Sequence, residues 1–472
     1  VGWMSESERQ QRDQRIEELE GEVQRLRQEL ERAVAEIERL KGALEAALRG
    51  GKRQATPFSK GERVANPKPP GRKPGEGIFC RREAPPDTLP TVTVEAAVPP
   101  ACPQCGGPLT EEEVEWASTT DLPACPQPVV TRYRVPVCRC SRCGQRVRGT
   151  AAGLAPDQYG ATAHRVGPGV KAAAHSLHYG VGVPVRRVPA VLAELTGVSI
   201  TQGALTHDAL RRAEREVGAE HQQLRAQVRE APVVYTDDTG WKVGGEPAHL
   251  MAFDTDRETV YQIRPQHRNE EVREVVPADY GGVLTTDRGK SYDARELEQV
   301  AQQKCLSHLQ RNVSEVVETK QGRARSFGLK LKGLLHQGIE LWKAQRQGTA
   351  PDFAARVEGL EQELTYHLRP RLLRDPDNQR LLDGIGLHHD RGNVLRFLHD
   401  PRGEPTNNRA ERILRYGVIA RKVSHCSKNE RGAEAYAAFT SVIRTAVKNG
   451  ARSMTESLRR LFRTPYPDQP SP

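Results

Sequence analysis

Three β-rich runs stand one after another in the middle of the chain, and a fourth follows a helical stretch. The runs are VVYTDDTGW (233–241), PAHLMAFDT (247–255) and ETVYQIRP (258–265). NEEVREVVPADY (269–280) then reads as a helix and VLTT (283–286) as a fourth strand. Apolar, β-branched and aromatic residues mark the strands, and Gly, Pro and charged turns separate them. Three consecutive strands, a helix and a fourth strand are therefore expected.

The first and fourth runs both finish on acids. In a ribonuclease H-like sheet those two strands lie side by side, so Asp237 or Asp238 would face Asp287. Carboxylates held that close repel each other unless a cation sits between them. A cysteine-free oxygen site favours Mg²⁺ or Mn²⁺. Two such ions about 4 Å apart activate a water or 3′-hydroxyl on one side of a phosphate and stabilise the leaving oxygen on the other. A third acid is needed, from a helix on the sheet. The candidate is Glu411 in EPTNNRAERILRYGVIARKVSHC (404–426), where Pro405 and Thr406 open a helix. Asn408, Glu411 and Arg415 share one face of it.

Between the fourth strand and that helix lies QQKCLSHLQRN (302–312), with Cys305 and His308 as a C-x-x-H. Zinc ligation, a place near DNA after a fifth strand, and a buried structural pair are all open for it. SFGLKLKGLLHQGIELWKAQ (326–345) and FAARVEGLEQELTYHLRPRLL (353–373) are amphipathic. They predict a helical insertion over about residues 312–400, with Lys330, Lys332, Lys343 and Arg346 adding charge to it.

The N-terminal part has a different composition. Ile16, Leu19, Val23, Leu26, Leu30, Ala33, Ile37, Leu40, Leu44 and Ala47 alternate spacings of three and four. That is a heptad seam, and residues 1–50 are expected to form a leucine-zipper-like coiled coil. Residues 51–100 are Pro, Gly, Lys and Arg-rich and read as a basic linker. Cys102 and Cys105, then Cys140 and Cys143, form two C-x-x-C pairs within residues 101–150. Four thiolates suit a structural Zn²⁺ in a zinc-ribbon-like module, with Cys138 as a substitute for Cys140. Cys80 and Cys125 stand apart. Residues 160–228 read as helical, with a break at Gly197 and Ser199 or Thr201 capping the next helix. That is helix-turn-helix spacing.

TDDTGWKVGGEPAHLMAF, VLTTDRGKSYDA, CLSHLQRN and EPTNNRAERILRYGVIARKVSHCSKNERGAEAYA together resemble the DDE transposases of bacterial insertion sequences. They are most similar to the insertion sequence sixty-six family, in its long catalytic protein. The heptad helix, basic linker, double C-x-x-C and following helices occur in the same order in that family. The resemblance implies a catalytic, metal-binding triad of Asp237, Asp287 and Glu411. The family's first motif is Asp-Glu-Thr, whereas this chain has Asp-Asp-Thr, with Asp238 in the glutamate's place. Asn407, Asn408, Arg412, Arg415, Arg421 and Lys422 match family positions and are carried over as DNA contacts. Cys305 and His308 match as well and are placed near DNA.

The expected protein is thus multidomain: coiled coil, zinc module, helical DNA-binding region, and a ribonuclease H-like α/β catalytic domain over residues 230–465. Its expected activity is metal-dependent cleavage at inverted terminal repeats followed by strand transfer. Double-stranded DNA and a second copy of the chain are the expected partners, with helper proteins of the same element as a further candidate. The formal charge of +10, from 71 basic and 61 acidic residues, agrees with a polyanionic partner. No run approaches the roughly 18 apolar residues of a membrane span, and the expected location is the cytoplasm, associated with the nucleoid. The rival expectations are an inactive DNA-binding protein with the same domain and a nuclease that only cuts.

Overall fold

The computed structural model describes residues 6–51, 93, 97, 100, 101, 103–109, 128–149, 151 and 166–463. The chain divides into two units, Val1–Val94 and Glu95–Pro472. The first contains α1 (Glu6–Gly51), a single 46-residue helix. Its expected seam residues Leu19, Val23, Leu26, Leu30, Ile37 and Leu40 are all exposed. Most of the linker, with Cys80, Cys102 and Cys125, lies outside the described residues.

The second unit begins with a hairpin of β1 (Val137–Arg139) and β2 (Arg146–Arg148). Gly144 N–H closes its turn on Cys140 O at 2.9 Å. Gly106 and Gly144 each follow the second cysteine of a pair, with φ of 73° and 76°. That left-handed conformation favours glycine. Then come α2 (Pro168–His175), running into a π-turn at Ser176–Val181, α3 (Val188–Thr196), α4 (Gln202–Ala213) and α5 (Glu216–Glu230). Gly197, at φ 69°, ends α3. Thr201, rather than Ser199, caps α4 by accepting the Ala204 N–H at 3.2 Å.

The sheet follows as β3 (Val233–Val243), β4 (Glu246–Asp254), β5 (Thr259–Arg264), β6 (Val283–Thr286) and β7 (Ala301–Lys304). Its order is β5-β4-β3-β6-β7. β3, β4 and β5 are antiparallel neighbours, and β6 and β7 join in parallel. Gly244 and Gly245, both at positive φ, form the two-residue turn between β3 and β4. The helix between β5 and β6, α6 (Asn269–Arg273), is shorter than the expected twelve-residue segment. Pro277 lacks the N–H that a longer helix would need there.

Five helices follow: α7 (Leu306–Thr319), α8 (Gly322–Arg346), α9 (Phe353–Leu368), α10 (Pro376–Asp390) and α11 (Arg396–His399). They enclose their own core, which includes Leu309, Leu335, Leu364 and Ile385. Leu306 already belongs to it, so this helical body begins earlier than residue 312. The chain returns to the sheet as α12 (Asn408–Ser424), α13 (Glu430–Lys448) and α14 (Met454–Arg463).

The expected boundary between residues 228 and 230 does not separate two cores. Ala209, Val217, Leu224 and Val228 of α4 and α5 share one apolar cluster with Val234, Met251 and Phe253 of the sheet and Phe439 of α13. α2 is tied to α4 by buried Asp208, whose Oδ2 lies 2.9 Å from His175 Nε2 and 2.8 Å from Arg212 Nε. Among the described residues no helix is long and apolar enough to cross a membrane.

Candidate active site

β3 and β6 pair with Val233 opposite Val283 and Tyr235 opposite Thr285. Continuing that register by two residues sets Asp237 beside Asp287 on one face of the sheet. Burial pushes the Asp237 carboxyl up to about 7, and the charges of Asp287 and Asp238 add to it. The Asp238 N–H, donated to Asp237 Oδ1 at 2.9 Å, only partly opposes this. Asp287 follows the last residue of β6 and accepts the Gly289 N–H at 2.7 Å. A Cβ on Gly289 would lie 2.9 Å from that same Oδ1 and 3.3 Å from the Tyr292 ring, so a side chain there would crowd the carboxylate.

Glu411 approaches from α12. His308, near the start of α7, has its Nε2 3.8 Å from Glu411 Oε1. The neighbouring Cys305 thiol, with the charges of Asp237 and Glu411, pushes His308 above its ordinary value. Asp237, Asp287, Glu411 and His308 therefore gather around one place. α12 reaches it because Gly417 lets the helix lie on β4, where an added Cβ would stand 2.2 Å from Leu250 Cδ2. Tyr261 OH also donates to Ile413 O at 2.7 Å.

Asp238 has other partners. Successive strand residues face opposite sides. Its Oδ2 lies 2.7 Å from His249 Nδ1 and its Oδ1 3.0 Å from His267 Nδ1. Burial alone would raise Asp238, but the two imidazoles hold it below the usual carboxylate range. Of the two acids at the head of the motif, Asp237 is the one turned to Asp287. Neither histidine is recognisable from sequence spacing. The nearest signal is a polar His249 inside the apolar run PAHLMAF.

Two of the residues expected near DNA are buried. Cys305 and Asn407 are 1% and 0% exposed. The Asn407 N–H donates to Cys305 Sγ at 3.2 Å, and its Nδ2 donates to Thr236 O at 2.7 Å. They tie the start of α12 to β3 and to the end of β7. Buried backbone groups at such junctions need partners away from water. α12 begins at Asn408, two residues beyond the expected opening, and Asn407 is the residue before it. Arg421 Nη1 donates to Thr239 Oγ1 at 3.2 Å and to Gly240 O, bracing the far half of β3. Asn408, Arg412, Arg415 and Lys422 are exposed along α12. Cys305 and His308 join no cluster of three metal-ligating atoms among the described residues. In the cysteine hairpin, backbone N–H groups of Cys143 and Arg142 and then the Cys143 side chain hold the Cys140 thiol below its ordinary value.

Residues 164–435, more than half of the chain, match the family model described as the transposase IS66 family. The chain belongs to that family. None of the curated proteins compared with it matches.

Proposed function

We propose that this transposase is a DDE enzyme that cuts at the inverted terminal repeats of its element and joins the freed 3′ ends to target DNA. The observation that carries this reading is Asp237, half-buried beside Asp287 and raised to about 7. A carboxyl in that condition marks a site short of positive charge. Asp237, Asp287 and Glu411 offer oxygen donors only, a set that fits Mg²⁺ or Mn²⁺. Two such ions, when bound, would activate the attacking water or 3′-hydroxyl and stabilise the leaving oxygen.

The protein's own residues supply the rest. Sheet register holds Asp237 against Asp287, the Gly289 N–H orients Asp287, and His308 orients Glu411. The two imidazoles on Asp238 keep that carboxylate away from the triad. The strand order, with β3 central and flanked by β4 and β6, supports a ribonuclease H-like reading. Exposed Asn408, Arg412, Arg415 and Lys422 form a row suited to phosphates. The α3–α4 pair is the candidate reader of the element ends. The seam of α1 would pair two copies so that both ends are held, and Cys102, Cys105, Cys140 and Cys143 would hold a structural Zn²⁺.

The test is cleavage and strand transfer on DNA from the flanks of the gene, with Mg²⁺ or Mn²⁺, beside Glu411→Gln. Metal-dependent nicking at the ends with joined products, abolished by the substitution, is expected. Nicking that survives Glu411→Gln would remove the triad from the mechanism.

A further inference from the structure

The opposite face of β3 carries a second constellation that the triad does not use. We propose that Asp238, His249 and His267 form a separate binding site for a first-row transition cation of the zinc class. The site does not depend on the transposase chemistry above and would exist in an inactive chain.

Each of the three residues offers one ligand atom, and these atoms all lie within 4.8 Å of one another. Both imidazoles present Nδ1, one to each carboxylate oxygen, at 2.7 and 3.0 Å. Ligand atoms of a tetrahedral zinc, each about 2.0–2.2 Å from the metal, stand roughly 3.3–3.6 Å apart. Small side-chain shifts that widen the two carboxylate–imidazole contacts therefore admit the ion. Two imidazoles and one carboxylate select zinc-class cations over Mg²⁺, which prefers oxygen alone.

The donors are held before any ion arrives. His249 sits in β4, where the next two residues, Leu250 and Met251, are fully buried. The loop carrying His267 is fixed by Ser291 Oγ donating to His267 O at 2.7 Å. The Tyr292 ring meets the His267 ring edge-on, with centroids 5.3 Å apart. The His267 nitrogen turned to the site is Nδ1, 3.0 Å from Asp238 Oδ1. The side chains of His267, Asp238 and His249 are 11%, 24% and 38% exposed, which gives an ion access and leaves room for a water as fourth ligand. A cation here would fasten the loop after β5 to the middle strand and neutralise the carboxylate next to Asp237.

The experiment uses the full chain, dialysed to equilibrium against Zn²⁺ and analysed for bound metal. Wild type is compared with His249→Gln/His267→Gln and with Asp238→Asn. Both variants should bind one zinc per chain fewer. With Co²⁺ as probe, both should lose weak ligand-field bands and keep any thiolate-to-cobalt charge transfer from the cysteine hairpin. Equal zinc content in natively folded variants and wild type would overturn the site and leave Asp238 a carboxylate hydrogen-bonded by two imidazoles. Should the double variant lose its circular dichroism signal, the near-isosteric Asp238→Asn decides by the same count. Because the readout is metal content, failure here leaves the cleavage assay untouched, and loss of cleavage by Glu411→Gln leaves the zinc count unchanged.

Discussion

Replacing Asp237 with asparagine should stabilise the cation-free protein at alkaline pH. Asp237 has its carboxyl raised from 3.8 to about 7 in the folded chain. A raised folded value contributes stability that is complete below the unfolded value and is lost as pH rises through the folded one. From about pH 5 to pH 7 the loss runs at about 1.36 kcal/mol per pH unit, a ceiling of roughly 2.7 kcal/mol. Partial solvent access and screening reduce this to about 1–2 kcal/mol. Asp237→Asn has the same shape and no titration, so it escapes the loss. Urea midpoints followed by circular dichroism, in buffers stripped of divalent cations, measure it at about pH 5 and pH 8. The advantage of the variant over wild type should grow by about 1–2 kcal/mol between them. Added Mg²⁺ should then stabilise wild type alone. An advantage that stays flat or shrinks with pH would refute the argument that burial and Asp287 make this carboxylate costly.

Gly417→Ala places a Cβ 2.2 Å from Leu250 Cδ2, so the fully buried Leu250 side chain or α12 itself must shift. A stability loss of about 1–3 kcal/mol is expected, with a fall in cleavage rate because Glu411 rides on that helix; native activity and midpoint together would contradict the packing. Asn407→Ala orphans the Thr236 carbonyl, at a cost of about 1–3 kcal/mol. Its DNA affinity should hold, and weaker DNA binding at unchanged stability would reinstate the contact role. Arg412→Ala combined with Arg415→Ala should weaken binding to all DNA sequences alike and shrink the salt slope by about two. A slope that does not move would take α12 off the DNA path.

The middle of the fold was legible because its signals are local. Apolar and β-branched runs marked four strands, and the likeness to a ribonuclease H-like sheet set the first beside the fourth. The third acid was legible only as a helical face with asparagine and arginine around it. What the sequence did not show was finer than an element. Asn407 and Asn408 are adjacent in sequence, yet one is buried and the other exposed, because the helix starts at the second of them. The amphipathic pattern of α4 and α5 showed that each has a face to bury, but not that the sheet is what covers it. His249 meets Asp238 across the β3–β4 pairing, and His267 comes to it from the loop after β5. Separations of 11 and 29 residues obey no helical or strand period.

The division of labour between Asp237 and Asp238 depends on the register of one strand. A slip of β3 by a single residue would exchange the faces of every side chain on it. Asp238 would then meet Asp287, and Asp237 would meet the histidines. Several features oppose that slip. β3 is paired with β4 from Tyr235 to Val243, and the turn is pinned by two glycines at positive φ. Val234, Tyr235 and Trp241 are buried, and Trp241 Nε1 donates to Ser427 Oγ at 3.1 Å. Neighbouring carboxylates of the same chemistry are thereby held in opposite electrostatic states. One is pushed up towards neutrality beside a second acid, and the other is kept ionised between two imidazoles. Because the strand's pleat sets that contrast, exchanging the two faces needs a register shift and not a side-chain rotation.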